Sequence, residues 1–337
     1  MTLSQQARLM LPVIESELKR QVRRAASPST RDFHELLAYH MGWTGSSARK
    51  GKGGKRIRPL LTLLVCASAG GRWRQAAPGA AALELLHNFS LVHDDIQDNS
   101  PTRRGRPTLW TRAGVPLAIN AGDALFTIAN QAALDLRRAF EPAAVVAVYG
   151  ILQQACLDLT MGQFLDLYHQ GARRLSLKGY WQMIDGKTAA LLAACTHIGA
   201  LLGGETPARC AQYHRFGRLL GLAFQVEDDV LGIWGEEKRT GKSTGSDLAE
   251  GKLSLPVVFG LGRHGEFSKL WRDAGRRGRN APRLRRLLED AGGLDFATKH
   301  AQRLTRGAVS ALHRLKPRGD AGAALEELAL QLLSRTW

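Results

Sequence analysis

Between positions 83 and 110 the chain reads LELLHNFSLVHDDIQDNSPTRRGRPTLW, and three aspartates, Asp94, Asp95 and Asp98, fall within five positions. On a helix, Asp94 and Asp98 face the same way about 6 Å apart, with Asp95 beside them. Like charges at that spacing repel, so they are tolerated only in water or with a cation bridging them. A second acidic pair, Asp228 and Asp229, sits in the run FQVEDDVLG. Carboxylate oxygens are hard ligands, and Mg²⁺ takes a few of them together with water and substrate phosphate oxygens. Phosphate-seeking cations stand in the glycine-rich breaks GKGGKRIRP (51–59), RRGRP (103–107), GKT (186–188) and GKSTGSDLAEGK (241–252). Acidic clusters beside basic loops are two complementary means of capturing a metal-bound diphosphate.

Each signal alone has a plainer explanation. An acidic helix end can simply be solvated, and arginines after a helix can offset its C-terminal dipole. A lone histidine is more often a satisfied core residue than a ligand. His87 gains weight because it lies seven residues before Asp94, two helical turns along the same face. Lys187 falls near a helix start, where a cation opposes the dipole, so a ligand role suits it better.

The elements that must position these groups are helical. PGAAALELLHNFSLVHDD, AVVAVYGILQQACLDLTMGQFLDLYHQ, GKTAALLAACTHIGALLGG and FGRLLGLAFQVEDDVLGIW all carry apolar residues at three- and four-residue spacing. No segment sustains a strand-like alternation. Breaks fall at 44–54, 70–79, 99–107, 114–116, 202–207 and 235–251, none long or biased enough to be a domain linker. The pattern predicts one all-α domain over 1–337. Ser176 and Thr206-Pro207 mark helix starts, and the stretch 187–202, apolar almost all round, belongs at the centre of a bundle.

The 337 residues carry a formal net charge of +17. The Arg-rich segment 272–290 reads as a solvated face; without interleaved stacking aromatics, specific nucleic-acid binding is not expected. No run of about 18 uncharged apolar residues predicts a membrane span. The first thirty residues lack the unbroken apolar core of a secretory signal, which makes the cytoplasm the expected location. Cys66, Cys156, Cys195 and Cys210 form no C-x-x-C pair and read as buried, reduced thiols.

Taken in order, GGKRIRP, LELLHNFSLVHDDIQD, RRGRPT, NAGDAL, GQFLDL, GKTAAL, FQVEDD and GKSTGSDLAEGKLSLP resemble the motifs of the trans-isoprenyl diphosphate synthases, the polyprenyl synthetase family, over about residues 50–260. The resemblance implies a single-domain bundle of many antiparallel helices around a central elongation cavity, working as a homodimer. It implies a Mg²⁺-dependent prenyltransferase that joins isopentenyl diphosphate head-to-tail to an allylic diphosphate. Asp94, Asp95 and Asp98 match the first aspartate-rich motif, and Asp228 and Asp229 the second, as metal ligands. Lys55, Arg58, His87 and Arg104 match the grip on isopentenyl diphosphate. Arg103, Lys187, Thr188, Gln225, Lys242 and Lys252 match positions around the allylic diphosphate, and Gln163 and Asp166 a pair lining the same cavity. In the reaction so implied, the allylic C–O bond breaks with help from metal and cations, the isopentenyl double bond attacks, and the departing diphosphate removes the proton. A loop over 235–252 closes against water.

The chain departs from the family at one point. The second motif ordinarily ends in a third aspartate, and position 232 is glycine. That puts metal affinity or rate in question. Product length is implied by Phe89, the fifth residue before the first motif, with small Ser90 next to it and Leu86 one turn below. This arrangement resembles synthases that stop at the C20 product, geranylgeranyl diphosphate; the C15 product, farnesyl diphosphate, is the nearest alternative. A class I terpene cyclase shares the aspartate-rich helix but has no need of Lys55, Arg58 and Arg104. A non-catalytic partner subunit would have lost its aspartates.

Overall fold

The computed structural model describes residues 1–44, 54–170, 175–235, 245–263, 265–273 and 277–334. The helices are, in order, α1 (Leu3–Val22), α2 (Arg31–His40), α3 (Ile57–Ser68), α4 (Ala77–Gln97), α5 (Leu109–Ala113), α6 (Val115–Leu134), α7 (Pro142–Gln170), α8 (Leu177–Ile184), α9 (Ala190–Leu202) and α10 (Pro207–Trp234). They continue with α11 (Ser246–Glu250), α12 (Leu255–Gly262), α13 (Glu266–Trp271), α14 (Arg277–Asp290), α15 (Gly293–Leu315) and α16 (Gly319–Ser334). The fold is all-α, and local chemistry sets the ends. Thr2 and Gln5 form a reciprocal capping box at α1. The Ser176 hydroxyl accepts from the Gly179 N–H at the start of α8. Proline 207 opens α10, where its missing N–H costs nothing.

Two compact units divide the chain. The first comprises Met1–Gln154, Ala194–Ala211 and Lys316–Glu327. Its core includes Leu61, Leu64, Leu83, Leu86 and Leu125, all buried. Glycines let its helices approach closely: a Cβ at Gly199 would lie 2.6 Å from the Thr62 carbonyl oxygen, and one at Gly122 would lie 2.3 Å from the His93 ring. The second unit comprises Ala155–Ala193, Gln212–Leu315 and Leu328–Trp337. Its core gathers Tyr180, Val226, Ile233, Leu255, Trp271, Leu284 and Leu288.

Three departures from the sequence reading are local. Thr102–Arg103 (β1) and Arg106–Pro107 (β2) pair as a minimal antiparallel hairpin inside a predicted break. The short α11 lies inside the predicted loop 235–252. Helix α7 is long and apolar enough to cross a membrane on length and composition, and one third of that stretch is buried. Two further expectations are met. The Arg-rich α14 buries Leu284 and Leu288 and turns Arg283 and Arg286 to solvent, and all four cysteines are free and buried.

Candidate active site

In the first unit, α4 ends at Gln97, so Asp94 and Asp95 occupy its last turn and Asp98 caps it. The dipole of a helix end disfavours carboxylates, so this cluster needs cations. One is built in. Asp95 is buried, and Arg103 Nε donates to its Oδ1 at 2.7 Å. Burial pushes the Asp95 pKa up, and the arginine works against that rise. Asp94 is half-buried and Asp98 exposed. Arg103 reaches Asp95 from the end of β1, and the two-residue turn that follows it, Arg104–Gly105, has φ of 55° and 71°. A type I′ turn needs positive φ at both positions, which places backbone strain on a residue assigned to substrate.

The basic motif residues of this unit divide by role. Arg56 was not singled out in the sequence, yet it is the most tightly held cation in the motif. Its guanidinium donates to Glu15 at 2.6 Å, Glu84 at 2.9 Å and the Met41 carbonyl at 2.9 Å, and it is 4 % exposed. It is a scaffold residue. The neighbouring Arg58 has a buried Nε with no hydrogen-bond partner among the described residues. A buried guanidinium donor left unpaired is an unmet demand for an anion. His87 and Arg104 lie close enough to Arg58 to couple electrostatically: burial, then Arg58 and Arg104, hold His87 neutral, its pKa well below the ordinary histidine value. Burial and the surrounding arginines lower Arg104 to about 10, with Glu84 opposing. Lys55 is exposed beside Gly54 (φ +100°), where a Cβ would lie 2.9 Å from the Arg104 guanidinium. The sequence-assigned Arg58, His87 and Arg104 are therefore brought together.

Above that set, the Phe89 ring packs against His93 at 4.9 Å and against Phe126 at 5.2 Å between centroids. Phe126, on α6, was missed in the sequence because nothing local links it to position 89. Leu86 is buried one turn below. Ser90 is buried, and its hydroxyl is spent on the His87 carbonyl at 2.9 Å.

In the second unit, Gly162 and Gly186 set up the site. A Cβ at Gly162 would lie 2.1 Å from the Lys187 N, and one at Gly186 would lie 2.5 Å from the Asp158 carbonyl oxygen. The GQFLDL and GKT motifs therefore touch backbone to backbone, which delivers Lys187 to an ion pair with Asp166. Lys187 stands in a π-helical stretch, Asp185–Ala189, a form that favours functional positions. Gln163, the other half of the assigned pair, is buried.

Asp229 is held by neutral donors. Tyr180 OH donates to its Oδ2 at 2.6 Å, the Leu255 N–H to the same oxygen at 2.8 Å, and Gln225 Nε2 to Oδ1 at 2.9 Å. Thr188 Oγ1 donates to Gln225 Oε1 at 2.7 Å. Thr188 and Gln225, assigned to substrate, thus also orient Asp229. Burial raises Asp229 to about 7, while the donors from Tyr180, Gln225 and Leu255 pull the other way. Two of its four lone-pair positions are taken at Oδ2, which leaves Oδ1 as the side able to reach a metal. Asp228 is exposed. Lys252 donates to Asp247 at 3.1 Å; burial works against its charge, but Asp247 and Glu250 outweigh it and lift its pKa. Lys242 lies outside the described residues. Tyr180 and Asp247 escaped the sequence reading.

Among the described residues, no three His, Cys, Asp or Glu side chains converge on one metal-sized point. Mg²⁺ does not require that, because it is bound through one or two carboxylates plus water and substrate phosphate. The all-oxygen donors of Asp94, Asp95, Asp98, Asp228 and Asp229 suit such a hard ion and not a soft one. Surface cavities of about 500 and 540 Å³ in the first unit are lined by none of these residues.

The polyprenyl synthetase family pattern matches residues 46–290. The chain is 38% identical over 298 residues to the geranylgeranyl diphosphate synthase of Mycobacterium tuberculosis, covering 86% of this chain and 84% of that one. It is 34% identical over 324 residues to the (2E,6E)-farnesyl diphosphate synthase of Mycobacterium bovis, covering 93% and 89%. Among solved structures it resembles polyprenyl synthase from Caulobacter crescentus complexed with calcium and isoprenyl diphosphate, at 31% identity and a TM-score of 0.83, covering 99% and 98%.

Proposed function

The chain belongs to the polyprenyl synthetase family, and from that premise we propose that it is a Mg²⁺-dependent trans-prenyltransferase. It condenses isopentenyl diphosphate with an allylic diphosphate, head to tail, to geranylgeranyl diphosphate. One observation carries the reading: an unpaired buried Arg58 donor stands with neutral His87 and Arg104, beside a helix end bearing three aspartates of which one is already bound to Arg103. A cyclase needs the aspartates but not that second anion site.

A bound Mg²⁺ would supply charge neutralisation for the departing allylic diphosphate. Asp94, Asp95 and Asp98 in the first unit and Asp228 and Asp229 in the second are the residues that would hold metal ions. Arg103, Lys187 and Lys252 aim fixed positive charge at the oxygens on which negative charge develops, which favours the transition state over the ground state. Thr188, Gln225 and Tyr180 keep Asp229 oriented. Arg58, His87 and Arg104 hold isopentenyl diphosphate, His87 as a neutral N–H donor. Phe89 stops the growing chain over Leu86 and Ser90. The Phe89–Phe126 pair supports farnesyl diphosphate as the second reading, because two rings narrow the path more than one.

We further read residues 1–337 as one catalytic domain, located in the cytoplasm and paired as a homodimer. Each unit taken by itself carries exposed apolar side chains that support this reading, Leu117 and Ile119 on α6 in the first and Leu157, Met161, Phe164 and Tyr168 on α7 in the second. The test is product chromatography with labelled isopentenyl diphosphate and each allylic primer, with and without Mg²⁺. A metal-dependent C20 product is expected. Release of a hydrocarbon from geranylgeranyl diphosphate alone would overturn the reading.

A further inference from the structure

In the first unit, α2 ends among the arginines of the two basic motifs. The carbonyls that close a helix lack partners within it. Here arginines supply them. Arg106 donates to the Tyr39 carbonyl at 2.9 Å and more loosely to that of His40 at 3.4 Å, and Arg56 donates to that of Met41 at 2.9 Å. Tyr39 OH donates in return to the Pro107 carbonyl at 2.9 Å, and the Arg106 guanidinium lies 4.7 Å from the Tyr39 ring centroid. GGKRIRP and RRGRP therefore pin one helix end, whose last residue is His40.

The His40 side chain is buried, at 8 % exposure, and its Nε2 has no hydrogen-bond partner among the described residues. A histidine of the core ordinarily spends its ring nitrogens on carbonyls, hydroxyls or carboxylates. The charges that act on His40 are instead those of Arg104, Arg103, Arg106 and Arg56. Guanidinium groups carry donors and no acceptor, so none of them can receive an N–H from the ring. Burial first, then these arginines, holds the imidazole neutral, with a pKa of about 3. The ring adds no positive charge to a crowded set; it adds an uncharged donor suited to an oxyanion. Arg58 Nε is in the same condition, buried and unpartnered among the described residues, and His87 couples electrostatically to both Arg58 and His40. Unmet donors within one basic set call for a ligand rich in acceptors, and the oxygens of a diphosphate are that.

We propose that His40, from the end of α2, is a further binding residue for isopentenyl diphosphate, donating from Nε2 to a diphosphate oxygen alongside Arg58, His87 and Arg104. The inference rests on the prenyltransferase reading. Two neutral imidazoles then stand among the arginines of this subsite. The arginines supply attraction; the imidazoles fix direction without adding to the repulsion between cations.

The test uses the full chain: calorimetric titration with isopentenyl diphosphate, turnover with isopentenyl diphosphate and farnesyl diphosphate varied in turn, and melting temperatures without ligand. His40→Phe keeps the bulk of the ring and removes both nitrogens. It is expected to weaken isopentenyl diphosphate about tenfold or more, the scale of one hydrogen bond to a charged group, and to leave KM for farnesyl diphosphate unchanged. Because it removes a buried polar atom that has no partner, its melting temperature is expected to equal or exceed that of the unaltered chain, which a structural histidine would not allow. His40→Gln sets an amide nitrogen near the Nε2 position and is expected to recover most of the affinity; the shorter His40→Asn is not. Unchanged isopentenyl diphosphate affinity in His40→Phe, equal losses for both substrates, a loss confined to farnesyl diphosphate, or a lowered melting temperature overturns the inference and leaves the prenyltransferase reading standing. An unaltered chain that neither binds nor consumes isopentenyl diphosphate overturns both.

Discussion

Asp95 of the first unit and Asp229 of the second solve the same problem, a buried carboxylate, by opposite means. In the first, charge faces charge: Arg56 against Glu84 and Glu15, Arg103 against Asp95. Cations predominate there, and their mutual repulsion keeps His40, at about 3, and His87 neutral once burial has disfavoured their charged forms. In the second, Asp229 faces three neutral donors from Tyr180, Gln225 and the Leu255 N–H. A surplus of cations makes an anion trap that is preformed and strong at short range. Neutral donors fix a carboxylate's direction without cancelling its charge, which leaves it available to a metal. The contrast separates residues that grip substrate from residues that aim a ligand.

The sharpest way to break that contrast is to remove one member of each kind. Arg103→Ala takes a fixed cation from the developing charge and bares buried Asp95, so turnover should fall about 10²–10³-fold in a labelled isopentenyl diphosphate assay. A fall of less than threefold, on the scale of about 0.7 kcal/mol, would make Arg103 a scaffold residue like Arg56. Next in size is a change of product. Phe89→Ala should lengthen the prenyl chain, Phe126→Ala should do so as well, and the double variant should exceed either. Chromatography showing no shift in all three would remove the pair from the chain-length wall.

Tyr180→Phe probes the neutral-donor side. Losing one hydrogen bond to a buried carboxylate should cost about 1.5–3 kcal/mol in urea unfolding. It should also reduce turnover while leaving isopentenyl diphosphate binding unchanged; equal damage to both would place Tyr180 in the general core. The smallest effect concerns a charge-paired group away from the chemistry. Burial alone would raise Asp135, but hydrogen bonds from Gln21, Arg20 and Arg24 hold it near 2 against an ordinary 3.8. A depressed carboxyl pKa contributes stability above the unfolded value and loses it as pH falls from about 4 toward 2. Asp135→Asn should therefore cost about 2 kcal/mol at pH 6, with the gap to the unaltered chain closing by pH 2 and turnover untouched. A pH-independent gap would assign the effect to packing.

Much of this was legible in the chain itself. The four-residue spacing of Asp94 and Asp98, the seven residues from His87 to Asp94, Ser176 as a cap and Pro207 as a helix start are local relations, and helical geometry converts them directly into facing side chains. Phe126 opposite Phe89, Tyr180 on Asp229 and the Gly162–Gly186 crossing were not legible, because each joins residues on different helices that no periodicity relates. The roles within GGKRIRP were equally hidden. Lys55, Arg56 and Arg58 look alike as letters, and only burial decides that Arg56 is saturated by Glu15, Glu84 and Met41 while Arg58 keeps a donor unpaired.

Position 232 shows where the division falls. Read along the chain, its glycine is a missing ligand; in the structure a Cβ there would lie 2.0 Å from Asp247 Oδ2, so the same glycine makes room for Asp247, fifteen residues on. The sequence by itself determined which residue types are present and which of them share a helical face, since a repeat of 3.6 residues per turn is fixed by backbone sterics. Which faces pack together, which charges are satisfied and which volumes are already filled were decided by the tertiary structure, because close packing and desolvation depend on atoms that are neighbours in space and not in sequence.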